Sequence, residues 1–277
     1  MASPLVTLLG RNHQVPAARC AALGLALLVL AGCAGMGGRT GTVPINPRAQ
    51  EMLSRLAHTN AKLGSFKASG RIAIRQKGEL KINQRSLWAG QGLDKLRLTI
   101  LGIDGRPFTS MVRDGQWLYL LLHPEGRLER LQLNAGGLHR LARMELSADD
   151  LTQLLLGQIP LADHKHVAMS PAPSPDSGWV LVLRGRWQKV LQRIYFKREP
   201  LQVYRIERLD SFGTLRYRAD LAVSRDFGPF RIPCRIDISD GQQDGLTIEL
   251  QRYWPNSTLP AGIFTLKPPA AADGQQG

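Results

Sequence analysis

Three groups of side chains in this sequence could do chemistry. Cys33 ends an uncharged run, Asp149 and Asp150 stand side by side, and Asp163-His164-Lys165-His166 places two imidazoles at i and i+2. Paired carboxylates are a common means of general acid–base work. Here they fall in Ser147-Ala148-Asp149-Asp150, which resembles a capping box ahead of Leu151, Leu154 and Leu155. Acidic residues in the first turn of a helix are accounted for by the helix dipole. Two His and an Asp could hold a metal, yet Lys165 sits between the rings and no further ligand is suggested. The sequence has no G-x-S-x-G elbow, Gly-rich phosphate loop or C-x-x-C pair. The expectation is a protein that is not an enzyme and uses neither metal nor cofactor.

Cys33 is the informative thiol. Ala21 to Leu30 is a ten-residue stretch without a charge, too short to span a bilayer and about the length of a signal-peptide core. Arg11 and Arg19 precede it, and Leu30-Ala31-Gly32-Cys33 closes it like a bacterial lipobox, whose Cys is acylated and whose chain is cut just before it. The reading is a signal peptide over 1–32, lipidation at Cys33 and a Gly-, Thr- and Pro-rich tether over 33–47. Anchoring by two or more acyl chains is stable where one is marginal. Cleavage leaves 245 of the 277 residues, which suits one domain or at most two. Cys234 is then the only unmodified thiol, so no intramolecular disulfide is available, and its strand pattern predicts a buried structural role.

The net charge of +14 becomes +12 without Arg11 and Arg19. Export and the absence of a nucleic-acid motif argue against a nucleic-acid partner. The basic residues are spread along strands, which fits an anionic lipid surface or simply a solvated face.

The elements that must position any site read as follows. Asn46-Pro47 caps a helix whose apolar stripe (Met52, Leu53, Leu56, Leu63) runs through 48–63. The period then changes to two. Phe66, Ala68, Gly70, Ile72 and Ile74 alternate with Lys67, Ser69, Arg71 and Arg75, and Phe230, Ile232, Cys234, Ile236 and Ile238 alternate with charged neighbours. Asp114-Gly115 marks a hairpin. Gly136-Gly137 leads into an apolar segment, Leu138–Met144, and the central helix at 148–156 follows; Met169–Gly178 reads as a Pro- and Ser-rich loop. About ten strands, each with one apolar face, predict a mainly β (α+β) fold: one large curled antiparallel sheet, with an N-terminal and a central helix. Residues 48–269 form this domain and 270–277 a disordered tail. Trp88, Leu98, Ile100, Trp117, Tyr119, Leu154, Phe196, Tyr217 and Ile236 lie on apolar faces. They are either a filled core or the lining of a cavity, and the sequence leaves both open.

Phe66-Lys67-Ala68-Ser69-Gly70-Arg71-Ile72-Ala73-Ile74 after a helix resembles the opening of the LolB lipoproteins. Leu96-Arg97-Leu98-Thr99-Ile100-Leu101-Gly102 is similar to their next strand, and Leu146–Gly157 to their central helix. Phe264-Thr265-Leu266-Lys267-Pro268-Pro269 resembles the closing strand of the related carrier LolA. The resemblance implies a half-barrel with a helical lid over an apolar cavity for acyl chains. It implies outer-membrane anchoring facing the periplasm, transfer of lipoproteins or lipids, and a periplasmic LolA-like carrier as partner. Ala34 after the modified Cys is compatible with that location. By analogy with a protruding Leu in LolB, the Leu101–Phe108 loop, with Leu101, Ile103 and Phe108, touches lipid. A monomer is expected. The competing reading is a structural or regulatory envelope lipoprotein, with a filled interior, whose sheet binds a protein partner.

Overall fold

The computed structural model describes residues 46–133, 144–173 and 178–267. The signal peptide, Cys33, most of the tether, most of the Leu138–Met144 segment and the tail from Pro268 therefore lie outside the described residues.

Asn46 caps helix α1 (Pro47–Ala57): its side chain accepts from the Ala49 N–H, and Pro47 takes the first helical position, where no N–H is needed. Ala49, Met52, Leu53 and Leu56 form its buried stripe. The helix is shorter than the 48–63 expected, ending at Ala57. Asn60, with φ of 52°, turns the chain out of the helix.

Thirteen strands follow among the described residues, against the ten or so expected. They are β1 (Ser65–Gln76), β2 (Glu79–Gln91), β3 (Lys95–Leu101), β4 (Pro107–Asp114), β5 (Trp117–Leu122) and β6 (Arg127–Gln132). Helix α2 (Ala148–Leu155) intervenes. Then come β7 (His166–Pro171), β8 (Trp179–Arg184), β9 (Val190–Arg198), β10 (Leu201–Leu209), β11 (Leu215–Phe227), β12 (Phe230–Ser239) and β13 (Gly245–Pro255). All belong to one antiparallel sheet in the order β6-β5-β4-β3-β2-β1-β13-β12-β11-β10-β9-β8-β7. The chain meanders outward from β1 to β6, crosses over, and meanders back from β7 until β13 pairs with β1. β6 and β7 are the two edges, so the sheet stays open.

Two of the uncounted strands explain the shortfall. β10 is half-buried along most of its length, so its alternation is blurred. β7 runs into the segment expected to be a loop: Met169, Ser170 and Pro171 pair with β8. Pro171 is tolerated there because β7 is an edge.

Pairing aligns one apolar row across nine strands: Ile82, Ile74, Leu246, Ile238, Ala219, Ile206, Ile194, Leu181 and Met169. Antiparallel partners share a face, so this row is the core side. Helices α1 and α2 cover it, α1 against β7 and α2 against β12. On the opposite face charges ladder across strands; Arg235 reaches Glu249 (2.5 Å) and Asp237 (2.7 Å). Arg235, one of the basic residues spread along strands, lies on this face.

The segment expected to close the sheet does not join it. Residues 256–267 form turns that cross the face opposite the helices, where Arg97 Nη1 donates to the Ile263 carbonyl (2.8 Å). Both sides of β1 and β13 are already paired, so no central edge remains for another strand.

Candidate functional site

On the covered face, the half of the sheet from β13 to β5 is not filled. Ile72, Ile74, Ile82, Trp88, Leu98, Ile100, Thr109, Met111, Leu120, Leu122 and Leu246 surround a cavity of about 220 Å³, with Leu146 and Leu151 above it. Thr109 brings a hydroxyl; the other lining side chains are apolar apart from the Trp88 indole N–H, which donates to Ser86 Oγ (2.9 Å). An engineered apolar cavity of about 150 Å³ already takes up benzene. This one excludes charge and offers contact to hydrocarbon.

Helix α2 lies over this cavity and is fastened at both ends. Ser147 Oγ accepts from the Asp150 N–H (3.0 Å), the capping expected from the sequence. The carboxylates of that turn also bind the sheet. Asp149 meets Arg113 Nη1 of β4 (2.5 Å), while Asp150 meets Arg208 Nη2 of β10 at 3.2 Å through both oxygens. The Tyr217 hydroxyl donates to Asp150 (2.7 Å); burial, then the charge of Asp150, pushes its pKa well above the usual phenol range, so it remains a donor. At the other end Asn60 Nδ2 donates to the Leu156 and Gly157 carbonyls, and the Tyr253 hydroxyl to the Leu155 carbonyl (3.0 Å). A polar recess of about 300 Å³ beside Asp150 contains Glu145, Asp163, Arg208 and Arg216. Arg208 is paired with Asp150 and Arg216 with Glu145, so these charges hold the lid.

Of the residues expected at a cavity, Trp88, Leu98 and Ile100 line it together. Leu154 is buried on α2, but it is Leu151, one turn earlier, that reaches the cavity. Phe196, Tyr217 and Ile236 are fully buried in the core and do not line this cavity. Trp117 and Tyr119 do not line the cavity: their neighbours Leu120 and Leu122 do, and alternation puts the two aromatics on the other face. There Arg130 lies over the Trp117 ring at 3.5 Å. Strand β5 is apolar on both faces, so its phase could not be read from composition. Met111, Leu120, Leu122 and Leu146 went unselected; the pairing of Met111 with Leu98 and Leu120 is what brings them in.

Ile103, in the β3–β4 loop, is 94% exposed and Phe108, at the start of β4, is 52% exposed, whereas Leu101, which ends β3, is half-buried and paired with Pro107. Asp163-His164-Lys165-His166 is absorbed into structure: His164 Nδ1 contacts the Ala162 carbonyl and His166 begins β7. Among the described residues no three His, Cys, Asp or Glu side chains converge on one point. Cys234 is buried in β12, where burial pushes its thiol pKa up. Among the described residues no helix is long and apolar enough to cross a membrane.

No family model and no curated protein matches this chain. Solved structures do. A LolA superfamily protein from Nitrosomonas europaea superposes with a TM-score of 0.55 at 16% identity, over 79% of this chain and 97% of that one. The chain has the LolA-like fold. An outer membrane lipoprotein-sorting protein domain from Vibrio parahaemolyticus matches with a TM-score of 0.55 at 10% identity, over 79% and 95% of the two chains. A DUF1329 family protein from Desulfovibrio piger gives 0.58 at 11% identity, over 78% and 95%. In the LolA-like fold of this chain, the crossover between the two meanders supplies the lid, and the unfilled half of the sheet supplies the cavity.

Proposed function

We propose that this chain is a lipoprotein, acylated at Cys33 and anchored in the outer membrane facing the periplasm. Its domain binds acyl chains beneath α2 and passes lipoproteins or lipids to that membrane. The observation that carries the reading is the 220 Å³ apolar cavity under a helix whose fastenings are polar. An interaction protein would have its interior filled; here space remains where Trp88, Leu98 and Ile100 converge.

The energetics suit a carrier. Burial of each methylene is worth about 0.8 kcal/mol against water, so a long chain exposed in the periplasm costs on the order of 10 kcal/mol. Moving it between bilayer and apolar cavity costs far less, and direction follows from small affinity differences without a catalytic group. The Leu101–Phe108 loop, with Ile103 at its tip, touches the bilayer, and a periplasmic LolA-like carrier delivers the cargo to a monomer.

The test is native mass spectrometry of protein beginning at Ala34, prepared from a bacterial envelope without detergent. A co-purifying lipid or acylated peptide, displaced by added fatty acid, supports the carrier. A clean mass unchanged by added lipid favours the interaction protein.

A further inference from the structure

The rim of the sheet that carries Ile103 also carries a second apolar projection. Antiparallel connectivity puts the β8–β9, β10–β11, β12–β13, β1–β2 and β3–β4 turns on one edge. Neighbouring turns touch. Lys189 Nζ lies 5.8 Å from the centre of the Phe212 ring, linking the first two. Leu215 packs beside Gly241, and the Gly78 N–H donates to the Gln243 carbonyl (3.0 Å). Arg85 lies beside Gly105 in the β3–β4 loop.

At the far end of this rim stand Trp187, 90% exposed, and Phe212, 89% exposed. Trp187 occupies a 3-10 turn (Arg186–Gln188), where it and Gln188 both hold φ of 59°, a region that side-chain-bearing residues rarely adopt. The turn is locked in that shape: Arg184 Nη1 donates to the Gln188 carbonyl (2.9 Å), and the Gly185 N–H to that of Lys189 (2.9 Å). A strained backbone that holds a large apolar side chain in water yields no packing in the free protein. Phe212 is displayed by a turn in which Asp210 Oδ1 accepts from the Phe212 and Thr214 N–H groups, and Gly213 takes the positive φ. Arg184, Arg186 and Lys189 flank the two rings; of the carboxylates at this end, Asp210 is occupied by its own turn, and Asp163 and Glu145 line the recess that also holds Arg208 and Arg216.

We infer that Trp187 and Phe212 form an interfacial anchor that docks this end of the rim onto an anionic lipid bilayer. Aromatic rings favour the headgroup level of a membrane, and Arg and Lys beside them meet lipid phosphates. With Ile103 on the same edge, the docked sheet stands rim-down. This inference goes beyond the carrier reading, because it does not need the cavity to hold an acyl chain.

The test reconstitutes the full chain into vesicles of equal parts phosphatidylethanolamine and phosphatidylglycerol with brominated acyl chains, which quench tryptophan at membrane depth. The chain has five Trp, so variants assign the signal. The expected result is quenching of the wild type, most of which is lost in Trp187→Phe. It weakens in Phe212→Ser and in Arg186→Glu/Lys189→Glu, and persists in Leu93→Ser on the opposite edge. No quenching in the wild type, or equal quenching in Trp187→Phe, overturns the anchor. Thermal melts of the same variants stay at the wild-type midpoint, since both rings are exposed. Fatty-acid binding measured in parallel on the soluble chain reports on the cavity, so either idea fails without the other.

Discussion

Asp149 and Asp150 are consecutive in the chain and bind opposite halves of the sheet. Asp149 reaches Arg113 in β4, and Asp150 reaches Arg208 in β10 and Tyr217 in β11. The first turn of α2 is thereby tied across the covered face, above the cavity that the β4 half helps to line.

The two ties differ in worth. The Asp150 and Arg208 side chains are both largely buried, and removing one partner from such a pair costs about 3 kcal/mol because the other charge is left without its counterion. Asp149 is more than half exposed, so its pair is worth below about 1 kcal/mol. Urea unfolding is therefore expected to show Asp150→Ala as strongly destabilising and Asp149→Ala as mild. Equal effects would mean that Asp150 does not hold the lid.

Cavity and core are separable by substitution. Leu122 lines the cavity and is half-buried, so Leu122→Trp occupies the space with little strain. Binding of a fluorescent fatty acid is expected to fall tenfold or more, roughly 1.4 kcal/mol. Ile236→Val, fully buried away from the cavity, is expected to cost about 0.5–1.5 kcal/mol of stability and leave binding unchanged. Undiminished binding by Leu122→Trp would place the acyl chain elsewhere.

How much of this was legible in the sequence depended on whether a strand had one polar face. Phe230–Ser239 did, with Arg231, Arg235 and Asp237 opposite Ile232, Ile236 and Ile238, and its burial follows that pattern. Trp117–Leu122 did not, and aromatic bulk pointed to the wrong face. The turn at Ser147 was legible because capping is local. The ion pairs of Asp149 and Asp150 were not, since Arg113 and Arg208 come from strands far along the chain. Phe264–Leu266 resembled a strand, but membership of a sheet needs a free edge, which only the full pairing order reveals.

Ile103 tests the membrane loop with little structural penalty. At 94% exposure it packs against almost nothing, so Ile103→Ser is expected to stay within about 0.5 kcal/mol of wild type. Transfer of acylated cargo to vesicles is expected to drop severalfold. A large loss of stability, or normal transfer, would remove the loop from the mechanism.

His123 is expected to make folding pH-dependent. Its Nε2 lies 2.8 Å from Ser110 Oγ, which in turn contacts Thr99 Oγ1 (3.3 Å), and Arg97 bonds Thr99. Burial, then the positive charge of Arg97, holds the imidazole pKa below its ordinary value. The unfolded chain therefore takes up a proton at His123 before the folded chain does. Stability from this group is full above about pH 6.5 and declines as pH falls from there through the lower folded pKa. In urea unfolding across that range, wild type is expected to lose stability more steeply than His123→Gln. Parallel curves would show that the proton is accepted equally in both states, and that Arg97 is too far or too solvated to matter.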